Sequence, residues 1–131
     1  MSVGLLIITH DDVGRVLLNA TLGMLGVQPI PTALLSVTND KDPDTLLDRA
    51  HHLTREVDSG SGVLVLTDLF GSTPSNIASA LQRDHHVRVI AGINLPMLLR
   101  VMNYPKLSLT ELAEKALSGG HDGILLCAEV R

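Results

Sequence analysis

The segment Gly4-Leu5-Leu6-Ile7-Ile8-Thr9-His10 is an aliphatic run closed by a histidine, and it gives the strongest indication of the fold. A second aliphatic run, Val63-Leu64-Val65-Leu66-Thr67, ends in the same way at a carboxylate, Asp68. Continuous apolar runs of this length are typical of strands that are covered on both faces, as in parallel sheets. Ligands of such proteins bind at the carboxyl ends of the strands. His10 and Asp68 are therefore a candidate reactive pair.

The composition limits the class of protein. The 131 residues are 45% hydrophobic but only 2% aromatic, so aliphatic side chains must build the core of one domain, residues 1–131. A formal net charge of -4 argues against nucleic acid or an anionic membrane surface as partner. No apolar stretch approaches the roughly 20 residues that span a bilayer, and no basic segment precedes the first apolar run. Because Cys127 is the single cysteine, we expect no internal disulfide and a cytoplasmic protein.

Strand-like and helix-like patterns alternate along the chain. Apolar residues at helical spacing follow the first strand-like runs, and capping residues and prolines mark the helix starts. The predicted strands are residues 3–9, 32–38, 63–67, 87–91 and 124–129. The predicted helices start near Asp11 or Asp12, Asp42, Thr73, Pro96 and the capping box Ser108-Leu109-Thr110-Glu111, and Gly26, Gly60 and Gly119-Gly120 are predicted helix ends.

This alternation predicts an α/β fold, a doubly wound and mostly parallel sheet with helices on both faces. In the five-stranded order 2-1-3-4-5, the switch point lies between the first and third strands. His10 and Asp68 follow those two strands, so the crevice that the topology creates would hold both side chains together.

The same crevice is suited to an anion. Two helix amino termini, after Asp12 and after Thr73, should open into it, and their free N–H groups favour phosphate. The loop Gly71-Ser72-Thr73 adds two hydroxyls and a glycine that permits close approach of the backbone. The sequence has no phosphate-binding loop of the Gly-x-x-x-x-Gly-Lys type, no Gly-x-Gly-x-x-Gly and no paired Cys or His-Glu-x-x-His pattern. We therefore expect no cofactor and no metal.

An imidazole, a carboxylate and a phosphate cradle together suit a histidine that accepts a phosphoryl group. At neutral pH much of an imidazole is uncharged and offers a lone pair. A carboxylate on one ring nitrogen fixes the tautomer and stabilises the charge that develops on attack, an interaction worth about 1.5–3 kcal/mol. Phosphoryl transfer otherwise needs in-line placement and charge stabilisation. The hypothesis is that Asp68 orients His10 for this reaction.

Three segments stand out as a set, namely Ile7-Ile8-Thr9-His10, Leu66-Thr67-Asp68-Leu69-Phe70-Gly71-Ser72-Thr73-Pro74-Ser75-Asn76 and Ala91-Gly92-Ile93-Asn94-Leu95-Pro96-Met97-Leu98. Through these segments the sequence resembles, essentially from end to end, the IIA domain of the mannose-type (mannose/fructose/sorbose) phosphoenolpyruvate-dependent sugar phosphotransferase system. The resemblance implies that phospho-HPr phosphorylates His10, which then passes the phosphoryl group to a IIB protein. It also implies that Asp68 hydrogen-bonds to His10, and that Thr9 and Thr73 lie near the phosphoryl group.

The resemblance has consequences for assembly as well. It implies a cytoplasmic homodimer with strand order 2-1-3-4, in which an antiparallel last strand, here residues 124–129, is exchanged between subunits. Membrane contact would come only through the IIC/IID permease complex. Because the sequence shows no IIB segment before its end at Arg131, we expect a separate IIB partner, or a regulator whose phosphorylation state other proteins read.

The sequence departs from the family pattern in three places. Asp11 stands where many members have glycine, Gly71-Ser72-Thr73-Pro74 replaces Gly-Gly-Ser-Pro, and Phe70 replaces a frequent tryptophan. Two carboxylates, Asp11 and Asp12, beside a phosphoryl site are unfavourable unless they face away from it.

Two other classes of function stay open. A receiver-type signalling domain shares the fold and is phosphorylated on aspartate, and Asp11-Asp12 and Asp68 imitate its acidic residues. It differs where Ala91-Gly92 replaces a Ser or Thr and where Cys127-Ala128-Glu129 replaces a Lys. The other class is a non-enzymatic regulatory module that binds a small anion in the same crevice.

The other charged loops and histidines are given simpler interpretations. Asn39-Asp40-Lys41-Asp42 is interpreted as a solvated loop and helix cap that also suits the rim of a partner surface. At least one of His51 and His52 should be solvated, since the apolar face of their helix lies elsewhere. The remaining histidines are interpreted as surface residues, namely His85, His86 and His121.

Overall fold

The computed structural model describes residues 2–128. Its strands are β1 (Gly4–His10), β2 (Thr32–Val37), β3 (Val63–Thr67) and β4 (Val87–Ala91). Within the described residues they form one sheet in the order β2-β1-β3-β4, and each neighbouring pair is parallel. This confirms the predicted doubly wound α/β fold and places the switch point between β1 and β3.

Helices cover both faces of this sheet. They are α1 (Val13–Leu25), α2 (Pro43–Val57), α3 (Thr73–Ala80), α4 (Leu95–Met102) and α5 (Leu109–Asp122), and a 3-10 turn, Leu81–Arg83, follows α3. Leu5 and Ile7 of β1 pack in the cluster that includes α1, α4 and α5, whereas Leu6 and Ile8 pack in the cluster that includes α2 and α3. Both faces of β1 are therefore buried, which explains its uninterrupted aliphatic sequence.

None of the helices in residues 2–128 combines the length and the apolar character required to cross a bilayer.

Most predicted helix boundaries are correct because they depend on local capping. Asp42 accepts a hydrogen bond from the Thr45 N–H at 3.2 Å, and both bonds of the predicted capping box at Ser108 are present. The helix α1 also begins where predicted, with Asp12 at its N-cap, but the Asp12 carboxylate makes no capping bond and lies 3.5 Å from Arg15 Nε. The hydroxyl of Thr9 instead accepts the N–H of Gly14 at 2.8 Å.

The prediction that Gly119-Gly120 ends the last helix is wrong, because α5 continues to Asp122. These glycines are buried where α5 packs on α4: a Cβ atom at Gly119 would lie 2.5 Å from the Arg100 Cβ, and one at Gly120 would lie 2.9 Å from the Met97 Cε. They are glycines because the two helices approach closely, and their effect on helix propensity is outweighed by this packing.

The predicted antiparallel strand at residues 124–129 is not shown. Residues 124–128 form no strand in the described chain, and Glu129 lies outside the described residues. The side chains of Ile124, Leu125 and Leu126 are 77%, 77% and 101% exposed. A strand needs a neighbouring strand to satisfy its backbone hydrogen bonds, and among residues 2–128 this segment has none.

Candidate active site

His10 and Asp68 meet at the switch point, although they are 58 positions apart in the sequence. The Oδ2 atom of Asp68 accepts a hydrogen bond from the backbone N–H of His10 at 3.0 Å and lies 2.9 Å from His10 Nδ1. The other oxygen, Oδ1, accepts the backbone N–H of Leu69 at 3.0 Å. The carboxylate is thus held by both strand ends, and it in turn orients the imidazole.

The hydrogen bond between the two side chains determines the tautomer of His10. An ionised carboxylate is only an acceptor, so the proton of the neutral ring must reside on Nδ1. Nε2 then carries the lone pair. The imidazole side chain is 42% exposed and the Asp68 side chain 16%, so a reacting partner can reach the ring while the carboxylate is sheltered.

The environment keeps Asp68 ionised. Burial acts to raise the pKa of this carboxyl, but hydrogen bonds from the backbone and the ring of His10, together with the charge of the ring, outweigh that effect. The pKa of Asp68 is consequently lower than its ordinary value. At neutral pH a full negative charge lies next to the ring on which a positive charge would develop.

A cavity of about 220 Å³ opens beside His10. The β2–α2 loop and the first turns of α2 and α3 form its walls with the end of β2. The residues that line it with His10 are Val37, Thr38, Asn39, Lys41, Pro43, Leu46 and Thr73. The cavity joins the ring to polar side chains from two other segments, the β2–α2 loop and the start of α3, and it has room for a tetrahedral oxyanion.

The predicted phosphoryl-binding residues differ in whether they line the His10 cavity or make hydrogen bonds elsewhere. Thr73 is the first residue of α3 and lines the cavity with His10. Gly71 adopts a φ of +84°, which favours glycine, and its N–H donates to the Ser75 hydroxyl at 3.1 Å. The hydroxyl of Ser72 donates to the Leu69 carbonyl. Thr9 is 2% exposed and its hydroxyl is engaged by α1, so Thr9 is the predicted residue farthest from solvent.

Two features of the site were not predicted from the sequence. Lys41, interpreted as part of a solvated loop, lines the His10 cavity. Asp11 adopts a φ of +43°, the left-handed conformation that favours glycine, while its N–H donates to the Val37 carbonyl at 3.0 Å. The glycine that the family resemblance leads one to expect at this position was the available signal for this conformation.

Two other histidines form a separate pair. Nδ1 of His51 lies 2.9 Å from Nε2 of His85, and both residues are partly buried. His85, interpreted as a surface residue, is partly rather than fully exposed, because α2 packs beside the turn that carries it. They line a groove of about 690 Å³, larger than the His10 cavity, with Asp48, Arg55 and Asp84. His52, as expected, is exposed and bonds to Glu56 at 2.9 Å.

The fold and the pair together define a doubly wound α/β protein that presents a carboxylate-oriented histidine at its switch point. Residues 4–117 match the family model EIIA-man, described as PTS system fructose IIA component, and the chain belongs to this family. The predicted resemblance is thereby confirmed.

Sequence relatives agree with this assignment. Over 127 residues the chain is 30% identical to the PTS system mannose-specific EIIAB component of Escherichia coli (strain K12), a match that covers 95% of this chain and 39% of that protein. It is 31% identical over 87 residues to the PTS system fructose-specific EIIA component of Bacillus subtilis (strain 168), covering 65% of this chain and 60% of that protein. The chain spans about two fifths of the length of the EIIAB relatives that it matches.

Solved structures agree with the fold. The mannose/sorbose specific IIA subunit from Enterococcus faecalis matches with a TM-score of 0.89 at 24% identity, over 100% of this chain and 98% of that chain. The phosphotransferase system component EIIA from Streptococcus agalactiae matches with a TM-score of 0.81 at 27% identity, over 94% and 95% of the two chains.

Proposed function

We propose that this chain is a phosphoryl carrier of a sugar phosphotransferase system, in which His10 accepts a phosphoryl group from phospho-HPr and passes it to a separate IIB protein. The observation that carries the proposal is the 2.9 Å contact between His10 Nδ1 and Asp68 Oδ2. Membership in the IIA component family supports the choice of donor and acceptor. The chain then works as a phosphotransferase with a phosphohistidine intermediate and needs no cofactor or metal.

The transfer step follows from the tautomer. The lone pair on His10 Nε2 attacks the phosphorus of the donor phosphohistidine, and a new nitrogen–phosphorus bond forms. The bond to the donor breaks, and its electron pair stays on the donor nitrogen. The Nδ1 proton of His10 stays hydrogen-bonded to Asp68, whose negative charge balances the positive charge of the phosphorylated ring. The same steps in reverse deliver the group to IIB.

Residues near the ring supply the remaining interactions in this proposal. The hydroxyl and backbone N–H of Thr73 stand at the start of α3, where N–H groups without helical partners favour an anion. Gly71 and Ser72 shape the loop that leads into this helix. Thr9 contributes by fixing the start of α1 immediately after the His10 turn. These roles for Thr9, Gly71, Ser72 and Thr73 are parts of the proposal.

The proposal extends to assembly. We propose a cytoplasmic homodimer in which residues 124–129 of each chain pair with the sheet of the other, and contact with the membrane through a IIC/IID permease complex. Two observations support the exchange: β4 is an edge strand of the described sheet, and Ile124, Leu125 and Leu126 are exposed. A second copy would cover these side chains and occupy the edge. A regulatory role, read from the phosphorylation state, is compatible with the same chemistry.

The test is to incubate the protein with phosphoenolpyruvate, enzyme I and HPr and to measure its intact mass. We expect one phosphoryl group on the wild type and none on His10→Gln. The phosphoryl label should survive alkali and be lost in acid, which is the behaviour of phosphohistidine. A label that persists in His10→Gln and is lost in base would favour phosphorylation of Asp68, as in a receiver domain. Absence of any covalent label would favour the anion-binding module.

A further inference from the structure

The β2–α2 loop, residues 38–42, holds Lys41 against the His10 cavity. The backbone N–H of Lys41 donates to the Thr38 carbonyl at 3.3 Å, and the Thr38 hydroxyl hydrogen-bonds to the Asp40 carboxylate. The end of the loop is fixed by Asp42, which caps α2. These bonds give the loop a defined path, so the place of Lys41 in the cavity wall follows from the fold.

The charge around His10 is predominantly negative. Asp68 touches the ring, and Asp11 and Asp12 follow it directly in the chain. Arg15 lies 3.5 Å from Asp12, where it compensates that carboxylate. A phosphoryl group on Nε2 would add about −1.5 to −2 charges at neutral pH. Bound beside these carboxylates, it would be destabilised unless a cation lay within reach.

Lys41 is that cation. Of the side chains that line the cavity in the described part of the chain, it is the one with a permanent positive charge. Its ammonium group forms no salt bridge with any residue between 2 and 128, although its charge attracts the neighbouring Asp40 carboxylate. The ammonium group therefore keeps its donors available, on a flexible four-carbon stem.

We infer that Lys41 contacts the phosphoryl group on His10. By doing so it sets the equilibrium of the phosphoryl group between this chain and its partner proteins. The inference rests on the proposed function and adds a residue to its site. An ammonium group donates charge-assisted hydrogen bonds to phosphoryl oxygens. Because Lys41 is on an exposed loop, its side chain can release the group when the acceptor approaches. The phosphorylated state is thus stabilised without a fixed ion pair.

The first experiment measures the equilibrium of the phosphoryl group between HPr and this protein. We expect Lys41→Met to shift it toward HPr by roughly 10-fold, the effect of one charge-assisted bond partly screened by solvent. Lys41→Arg keeps the positive charge and should leave the equilibrium close to that of the wild type. Lys106→Met is the matched control, because it removes the same charge far from His10. Lys106 lines a different cavity with Ser2 and Pro29, which precede β1 and β2 at the amino-terminal ends of the strands.

The second experiment separates contact with the phosphoryl group from contact with a partner protein. The isolated phosphoprotein is titrated by ³¹P NMR, and the His10 signal is identified by its loss in His10→Gln. Removing an adjacent ammonium group disfavours the dianion, so the pKa of the phosphoryl group should rise in Lys41→Met and stay unchanged in Lys106→Met. A lysine that only contacted an acidic partner would leave this titration unchanged.

The two proposals can fail separately. If phospho-HPr labels His10 but Lys41→Met matches Lys106→Met in both measurements, the role of Lys41 is overturned and the carrier function stands. If phospho-HPr does not label the wild type, the carrier function fails. His10 can then be phosphorylated with phosphoramidate, which transfers its phosphoryl group to an imidazole nitrogen with release of ammonia. The ³¹P titration of that product still confirms or overturns the contact with Lys41.

Discussion

A single oxygen atom, Asp68 Oδ2, is hydrogen-bonded to both the backbone N–H and the ring Nδ1 of His10. The main chain at the end of β1 and the imidazole side chain therefore depend on one carboxylate, which follows β3. Loss of its charge should affect the position of the strand end and the reactivity of the ring together.

Asp68→Asn should slow phosphorylation of His10 by roughly 10- to 100-fold, because it removes a charge-assisted bond of about 1.5–3 kcal/mol. The rate of labelling by phospho-HPr measures this effect. Asp44→Asn, which changes an exposed carboxylate in the first turn of α2, is the control and should react like the wild type. Labelling of Asp68→Asn at the wild-type rate would refute the orienting role.

The same substitution has a pH-dependent effect on stability. The pKa of Asp68 in the folded protein lies below its ordinary value of 3.8, because burial, which raises it, is outweighed by the bonds from His10. Its stabilising contribution is then complete above that value and is lost as the pH falls through the lower folded pKa. The difference in free energy of unfolding between wild type and Asp68→Asn, measured by urea titration, should stay constant down to about pH 4 and shrink below it. A difference that grew on acidification would contradict this.

The left-handed backbone at Asp11 predicts a substitution that does not destabilise the protein. Asp11→Gly should leave the free energy of unfolding unchanged or raise it by up to about 1 kcal/mol, because glycine adopts φ near +43° without steric cost but loses more entropy on folding. Asp11→Val should lower it by about 1–3 kcal/mol. Asp12→Gly is the control, since Asp12 has a φ of −96° and offers no such relief. Greater stability of the valine variant than of the glycine variant would contradict the assignment.

The His51–His85 pair should make stability sensitive to mild acid. Burial, followed by the charges of His51 and Arg55, lowers the pKa of His85 below 6.5, against the opposite effect of Asp84 and Asp58. The stabilising contribution is present above pH 6.5 and is lost as the pH falls through the folded pKa.

The urea midpoint of the wild type should consequently fall on acidification from neutral pH, and His85→Gln should reduce this dependence. His86→Gln, at the exposed neighbouring residue, serves as the control and should retain the wild-type profile. An unchanged profile in His85→Gln would show that the pair does not couple protonation to stability.

The buried glycines of α5 can be tested against an exposed glycine. Gly119→Ala should destabilise the protein by about 1–3 kcal/mol, because the new Cβ would lie 2.5 Å from the Arg100 Cβ. Gly23→Ala in α1 meets no atom within 4 Å and should stabilise by about 0.5–1 kcal/mol through helix propensity. Chemical denaturation of both variants gives the comparison, and equal effects would contradict the packing explanation.

Local signals predicted most of the fold. The bounds of β3 and β4 agree with their apolar runs, and Asp42 and Ser108 cap their helices as their side chains indicate. The signal at Gly119-Gly120 was misleading, because a glycine that ends a helix and one that lets two helices approach look alike in sequence. Only the packing of α4 distinguishes them.

The candidate site was predicted only in part, because some of its residues are placed by packing and not by local sequence. Parallel topology alone brings the ends of β1 and β3 together, so the contact between His10 and Asp68 could be expected. The position of Lys41 depends on the path of a loop, and that of His85 depends on how a turn packs beside α2. Neither has a periodic pattern that a sequence would reveal.

The division of the cavity among separate segments affects how such a domain can be adapted. His10 and Asp68 come from two central strands, whereas Lys41 comes from a connecting loop. Under the proposed function, replacing that loop would change the preference for donor and acceptor proteins while the buried framework stayed intact. The fold would then be a modular starting point for engineering phosphorelays with chosen partners.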